Sequence, residues 1–242
     1  MNLENKTALI TGGTKGIGLG IAVAMLQNGM RVMITGRKKS TVNEVVKKLD
    51  KKYKGRIIGH AGNVANLKDQ RAAVSAIKKE WKKLDVLIAN AGIGHFHNIE
   101  ELTPKQWSET IDVNLTGVFN SCKASIASLK RTKGYIITIA SLAGTNFFER
   151  GTAYNASKFG LVGFTQAMMM DLRPYDIKCS TIMPGSVSTF FNNRKPSKTK
   201  DAWKIQPEDI GKIVIDLLTM PARTLPSKVE VRPFRPPSSY KK

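Results

Sequence analysis

Acidic residues are scarce in this 242-residue chain: 18 Asp and Glu stand against 39 Lys and Arg, a net charge of +21. A deficit of that size brings nucleic acid, anionic membrane and acidic proteins into view as partners. The positive charge is spread along the chain, however, in pairs such as Lys38-Lys39, Lys47-Lys48, Lys51-Lys52, Lys78-Lys79 and Lys82-Lys83. Most of these fall on polar faces of expected helices and read as a solvated surface. No helix-turn-helix or RNA-binding signature accompanies them, so no specific nucleic-acid partner is expected. Cysteine is nearly absent: Cys122 and Cys179 lie in apolar segments, which excludes a disulfide framework and suits buried thiols. No third ligand of suitable spacing accompanies His95 and His97, so no metal site is expected and the pair reads as surface or lid residues. No apolar run is long enough to span a bilayer. The opening residues, Met1 to Asn5, carry no signal-peptide pattern, and a cytoplasmic location is expected.

What is present is organised around Thr11-Gly12-Gly13-Thr14-Lys15-Gly16-Ile17-Gly18. A compact apolar run, Thr7 to Ile10, precedes it, and an amphipathic segment, Ile21 to Leu26, follows and ends at Gly29. Strand, glycine turn and helix within one short unit form the layout that binds a dinucleotide. The glycines permit the turn and let the backbone approach a pyrophosphate, while the helix N-terminus offers amides and a positive dipole end.

A second strand is expected at Arg31 to Thr35, ending in Gly36-Arg37-Lys38. An acid at this strand end takes the adenosine 2′-hydroxyl of NAD; Arg37 suits a 2′-phosphate instead, and Lys15 is within reach of the same group. The cofactor expected is therefore NADP(H). A helix from about Thr41 to Tyr53, a strand at Ile57 to His60, a helix from Leu67 to Trp81 and a buried strand at Asp85 to Ala89 follow. Thr103-Pro104 opens a long helix running through Asn114 towards Leu129, with the threonine as N-cap. Further strands are expected at Gly134 to Ala140 and Ile177 to Ile182, and between them a helix carries Tyr154 and Lys158 on one face. Strands apolar on both faces that alternate with helices imply one doubly wound Rossmann-type α/β domain. The sheet is expected to have seven strands, mostly parallel, with helices on both faces. Residues 1–242 form that single domain, with 186–206 as a substrate lid and 233–242 as a flexible tail. Gly12, Arg37, Asn63 and Asn90 all stand at strand carboxyl ends, where the ligand belongs.

Taken together, these landmarks closely resemble the short-chain dehydrogenase/reductase family. Its TGxxxGxG loop matches Thr11 to Gly18, and its NAG motif matches Asn90-Ala91-Gly92. Its catalytic asparagine, serine, tyrosine and lysine fall on Asn114, Ser141, Tyr154 and Lys158, and its Pro-Gly with a later threonine on Pro184, Gly185 and Thr189. The resemblance implies hydride transfer between NADP(H) and a carbonyl or alcohol. Thr14, Gly16, Ile17, Val64 and Val187 join the residues above as implied cofactor contacts. It also implies that Ser141 hydrogen-bonds the substrate oxygen, that Lys158 holds the nicotinamide ribose, and that Asn114 anchors a water chain. A carbonyl accepting hydride needs a proton donor and a group aimed at the developing negative oxygen. Tyr154 suits the first role, with Lys158 expected to lower its pKa by stabilising the phenolate.

The chain departs from the family pattern at Asn63-Val64, where many members have Asp-Val, and at Lys228 to Pro233, which lacks the usual glycine-rich ending but can still form a seventh strand. Asparagine keeps an acceptor for the adenine amine. The lid sets Phe190, Phe191 and Trp203 beside Arg194, Lys195, Lys198, Lys200 and Lys204, against a single Asp201. An acidic or phosphate-bearing substrate suits it, including an acyl chain on an acidic carrier protein, so 3-oxoacyl carrier-protein reductase is the alternative activity. In a chain this basic, lid charge alone does not select between them. An NADP(H)-sensing binding protein is the alternative of another class. Small residues at Ala153, Ala156, Gly160, Gly163 and Ala167 make a stripe on the Tyr154 helix where another helix can approach. The family resemblance favours a homodimer or homotetramer.

Overall fold

A computed structural model describes residues 2–236. Its strands are β1 (Thr7–Ile10), β2 (Arg31–Gly36), β3 (Ile57–Ala61), β4 (Val86–Ala89), β5 (Tyr135–Ile139), β6 (Lys178–Pro184) and β7 (Lys228–Val231). Its α-helices are α1 (Gly16–Gln27), α2 (Lys39–Asp50), α3 (Leu67–Trp81), α4 (Pro104–Ile111), α5 (Gly117–Thr132), α6 (Thr152–Leu172) and α7 (Pro207–Thr219). The strands form one sheet in the order β3-β2-β1-β4-β5-β6-β7, and every pairing is parallel. Strand order reverses between β1 and β4, which opens a crevice at their carboxyl ends.

Alternate residues of each strand serve opposite faces. Ala8 and Ile10 pack with Ile21 and Met25 of α1 and with Ile210 and Val214 of α7. Leu9 turns the other way, to Val74 and Ile77 of α3, Val118 of α5 and Leu161 of α6. Two apolar layers thus sandwich the sheet, and β1, β4 and β5 are buried along their whole length.

Local chemistry explains where the elements stop. Thr103 Oγ1 accepts from the Gln106 amide at 3.2 Å while Gln106 Oε1 accepts from the Thr103 amide at 3.0 Å, a capping box ahead of Pro104. The long helix expected after it is not continuous. Residues Asp112–Thr116 form a π-helical turn between α4 and α5, and the buried Asn114 lies in it. The second helix also starts and ends earlier than its apolar spacing suggests, at Lys39 and Asp50. The lid is largely irregular, with one 3₁₀ turn at Phe191–Asn193. Its base is pinned by the Ile205 amide, which donates to Ser186 O at 3.1 Å, and by the Ser188 amide, which donates to Ile205 O at 2.9 Å.

The stripe of small residues on α6 divides. A Cβ on Gly160 would stand 3.1 Å from Leu115 of the same chain, whereas one on Gly163 would meet nothing within 4 Å. Of the expected tail, Pro233 packs near Gly185 and Phe234 is exposed; residues 237–242 lie outside the described residues. No helix among the described residues is long and apolar enough to cross a membrane.

Candidate active site

The crevice is lined first by the glycine turn. Gly12 and Gly16 have φ of +66° and +55°, the left-handed region that glycine enters without strain. At Gly18 the constraint is space: a Cβ would stand 2.5 Å from both Gly12 O and Asn90 Nδ2. Asn90 Nδ2 donates to Thr11 O at 2.8 Å and Gly12 O at 3.1 Å. Thr11 Oγ1 accepts in return from the amides of Asn90 at 3.0 Å and Ala91 at 3.1 Å. The two motifs, far apart in sequence, therefore clamp one another at the switch point. No side chain caps the N-terminus of α1, which leaves its first-turn amides without a side-chain acceptor.

Arg37 is exposed one residue beyond β2, with Lys38 and Lys39 beside it and no acid at that strand end. Thr14 packs on Gly36, which brings Lys15 to the same end of the crevice. Asn63 is exposed, and its Oδ1 already accepts from the Ala65 amide at 3.1 Å, leaving one lone pair of the expected adenine acceptor. Val64 is buried behind it. Across the crevice Pro184 ends β6, the Gly185 amide donates to Val231 O at 2.8 Å, and Val187 bridges to Ile205. Thr189 packs against Gly16, and a cavity of about 370 Å³ between turn and lid is lined by both, with Phe190, Lys198 and Pro207.

The second cluster stands at the ends of β4 and β5. The Asn114 side chain accepts from the Ile93 amide at 2.9 Å and donates to Ile93 O at 2.9 Å and Ser157 Oγ at 3.0 Å. Ser157 Oγ donates to the Tyr154 carbonyl at 2.8 Å. The π turn thus aims an amide at the first turn of α6; such turns often mark functional sites. Lys158 is buried, and its Nζ donates to Ile139 O at 2.9 Å. Gly92 faces both groups, since its Cβ would stand 3.4 Å from Asn114 Oδ1 and 3.8 Å from Lys158 Nζ. Ser141 Oγ accepts from the Ala143 amide at 3.1 Å, donates to Pro184 O at 3.4 Å, and lies close enough to the Tyr154 hydroxyl to influence its ionisation.

The electrostatics differ from expectation. Burial pushes the Tyr154 phenol up to about 12, against the opposing pull of the Ser141 hydrogen bond. Burial also brings the Lys158 ammonium down to about 8. Lys158 Nζ stands 5.7 Å from the Tyr154 ring centre, and desolvation, not the ammonium, sets the direction of the Tyr154 shift. Cys122 and Cys179 are free and buried, and burial raises both thiols.

Residues 6–200 match the model of the short chain dehydrogenase family. The chain belongs to that family. This short-chain dehydrogenase is 32% identical over 190 residues to the 3-oxoacyl-[acyl-carrier-protein] reductase of Vibrio cholerae, covering 78% of this chain and 76% of that one. An alcohol dehydrogenase from the archaeon Thermococcus sibiricus, solved with 5-hydroxy-NADP, superposes with a TM-score of 0.90 at 28% identity, over 96% of this chain and 99% of that one. A 3-ketoacyl-(acyl-carrier-protein) reductase from Brucella melitensis, solved with NADH, superposes with a TM-score of 0.86 at 26% identity, over 96% and 99%. The family is one of oxidoreductases that use nicotinamide cofactors. The residues of this short-chain dehydrogenase fit such a group: the glycine turn is left-handed at Gly12 and Gly16, the α1 amides carry no side-chain cap, a cavity lies between Gly16 and the lid, and Arg37 is exposed at the end of β2.

Several residues of the site escape sequence reasoning. Asn155, buried beside Tyr154, donates from Nδ2 to Ala143 O and Asn146 O, each at 2.8 Å, and so fixes the loop after Ser141. Ser157 joins Asn114 to α6. Phe96 stacks edge-on to Tyr154 with ring centres 5.3 Å apart, beside Phe191, one of the three lid aromatics legible in the sequence, which stands 5.7 Å from the same ring. No periodicity marks any of these. His95 and His97 pair with Glu109 at 3.1 Å and Gln106 at 3.2 Å, and among the described residues no group of three or more His, Cys, Asp or Glu side chains is placed to hold a metal.

Proposed function

We propose that this chain is an NADPH-dependent carbonyl reductase, or the reverse alcohol dehydrogenase, with Tyr154 as its acid or base. The observation that carries the reading is the grouping of Tyr154 with Ser141 and with Lys158, which is buried one helical turn on and bonded to Ile139 O. NADPH, when bound, supplies the hydride that reduces a carbonyl carbon. Ser141 Oγ holds the substrate oxygen as it gains negative charge, and Tyr154 Oη gives it a proton. A phenol near 12 stays protonated through neutral pH, the form a reductase needs. Lys158 is an ammonium below about 8, where it steadies the phenolate left after proton transfer and holds the nicotinamide ribose. Asn114, through Ser157, orients the start of α6 and anchors the route by which the proton is resupplied.

The choice of NADPH rests on Arg37, with Lys15 alongside, since neighbours in the family bind both kinds of nicotinamide. Asn63 and Val64 take the adenine; Gly12, Thr14, Gly16, Ile17 and Gly18 take the pyrophosphate; Asn90, Ala91, Gly92, Pro184, Gly185, Val187 and Thr189 border the nicotinamide half. The test is NADPH oxidation against ketones, aldehydes and a 3-oxoacyl thioester, with NADH and Tyr154→Phe in parallel. NADPH-specific turnover lost in the variant is expected. Cofactor binding with no carbonyl reduced favours a cofactor-sensing role and overturns the reductase.

A second reading, 3-oxoacyl carrier-protein reductase, draws on the names of the relatives above and on the exposed lid cations Arg194, Lys195, Lys198 and Lys200. Turnover of the thioester in preference to free ketones favours it. Both readings are of a cytoplasmic homo-oligomer. The face made by α5 and α6 exposes Phe119, Phe159 and Met170 beside the open Gly163, and supports pairing of two copies there. A monomer by light scattering overturns that assembly.

A further inference from the structure

Two phenylalanines stand against the candidate acid, and a third backs one of them. Phe96, after β4, and Phe191, in the lid, form a triangle with the Tyr154 ring, at centre distances of 5.3 and 5.7 Å from it and 6.2 Å from each other. Phe148, ahead of α6, extends the cluster to Phe96 at 5.9 Å. Phe96 meets Tyr154 and Phe191 edge-on, at 63° and 64°, as aromatic quadrupoles favour, and the other two pairs are tilted at 49° and 57°. Gly94 makes the close approach possible: a Cβ there would stand 2.8 Å from Phe96 and 2.9 Å from Phe191.

The charges around this cluster are engaged with one another. His95 pairs with Glu109, His97 with Gln106, and Arg150 with Glu101 at 3.4 Å. Two of the lid cations are engaged away from the cluster, while Arg194, Lys195 and Lys200 are exposed. Lys204 is paired with Asp201 and lies against Trp203, and Lys198 lines the cavity beside Gly16, on the cofactor side. A substrate whose carbonyl meets the Tyr154 hydroxyl sets its substituent beside the rings of Phe96 and Phe191.

We propose that Phe96 and Phe191 determine specificity and select a ketone carrying an aromatic ring next to the carbonyl. The inference rests on the carbonyl-reductase reading and names its substrate class. An open alkyl chain gains only buried area from this wall, whereas a ring adds edge-to-face contacts with both phenylalanines. Phe191 also closes the set from the lid: its 3₁₀ turn contains Asn192 at φ 55°, a left-handed conformation that turns the chain back over Tyr154.

The test compares acetophenone with 2-octanone, two ketones of equal carbon number. Each is titrated into the protein saturated with NADP⁺, and each is assayed for reduction with NADPH. Acetophenone should bind about tenfold more tightly, and the preference should disappear in Phe96→Ala and Phe191→Ala. Phe191→Leu keeps the bulk and guards against misfolding, and should still lose most of the preference; Tyr154→Phe should retain it. Equal binding of the two ketones, or a preference that survives both alanine variants, overturns the inference. Selective binding without turnover keeps the phenylalanine wall and overturns the reductase reading. Turnover without selectivity does the reverse.

Discussion

The glycine turn and the lid face one another across the same crevice, yet they are built on different principles. From Gly12 to Gly18 the structure is made by backbone: positive φ at Gly12 and Gly16, and at Gly18 no room for a Cβ against Gly12 O. From Ser186 to Gln206 it is made by side chains whose neighbours come from elsewhere. Phe190 is 48% exposed, Phe191 lies on Tyr154, and Trp203 lies against Lys204. Three aromatic residues that look alike in sequence thus have three different fates. A turn whose residues are chosen for backbone freedom declares itself locally. A wall assembled from loops does not.

The largest expected effect falls on the side-chain half alone. Tyr154→Phe should cut turnover about a thousandfold while NADPH affinity, measured by fluorescence, holds. Loss of both together would show that the two regions are not separable. The reverse experiment is Arg37→Asp, which should weaken NADPH about a hundredfold relative to NADH by removing a charge-assisted contact and adding repulsion. An unchanged ratio would remove the 2′-phosphate role.

A pH profile sharpens the link between them. Lys158 has a folded pKa drawn down to about 8, so its ammonium is present below that value and is lost as pH rises through it. Reduction at saturating NADPH should fall by about tenfold per pH unit above that point. A flat profile to pH 10 would separate Lys158 from the chemistry. The smallest effect is structural: Gly18→Ala forces a methyl against Gly12 O and Asn90, and should lower the thermal midpoint by about 5 °C along with NADPH affinity. A variant with the parent midpoint would mean that the turn relaxes freely.

Most of the architecture was readable in advance because it depends on short-range rules. Buried runs such as Thr7–Ile10 and Tyr135–Ile139, alternating with amphipathic helices, imply a covered parallel sheet. Thr103 and Pro104 announce a helix start. The interruption at Asp112–Thr116 was not readable, since its residues are ordinary helix formers by pattern and the π turn is held by Asn114 bonds to Ile93 and Ser157. The same holds for the titration of Tyr154. Proximity in sequence to Lys158 suggested a lowered pKa, but desolvation, which depends on everything packed around the phenol, raises it.

By itself, then, the sequence determined the strand-helix alternation, the glycine turn, the absence of an acid after β2 and the order of Asn114, Ser141, Tyr154 and Lys158. Each is a matter of backbone conformation, periodicity or residue type at a short spacing. Only the tertiary structure decided that Asn90 clamps Thr11 and Gly12, that burial sets the ionisation of Tyr154 and Lys158, and that Phe96 and Phe191 stand against the phenol with Phe148 backing Phe96. Those facts depend on contacts between residues tens of positions apart, and on how completely water is excluded between them.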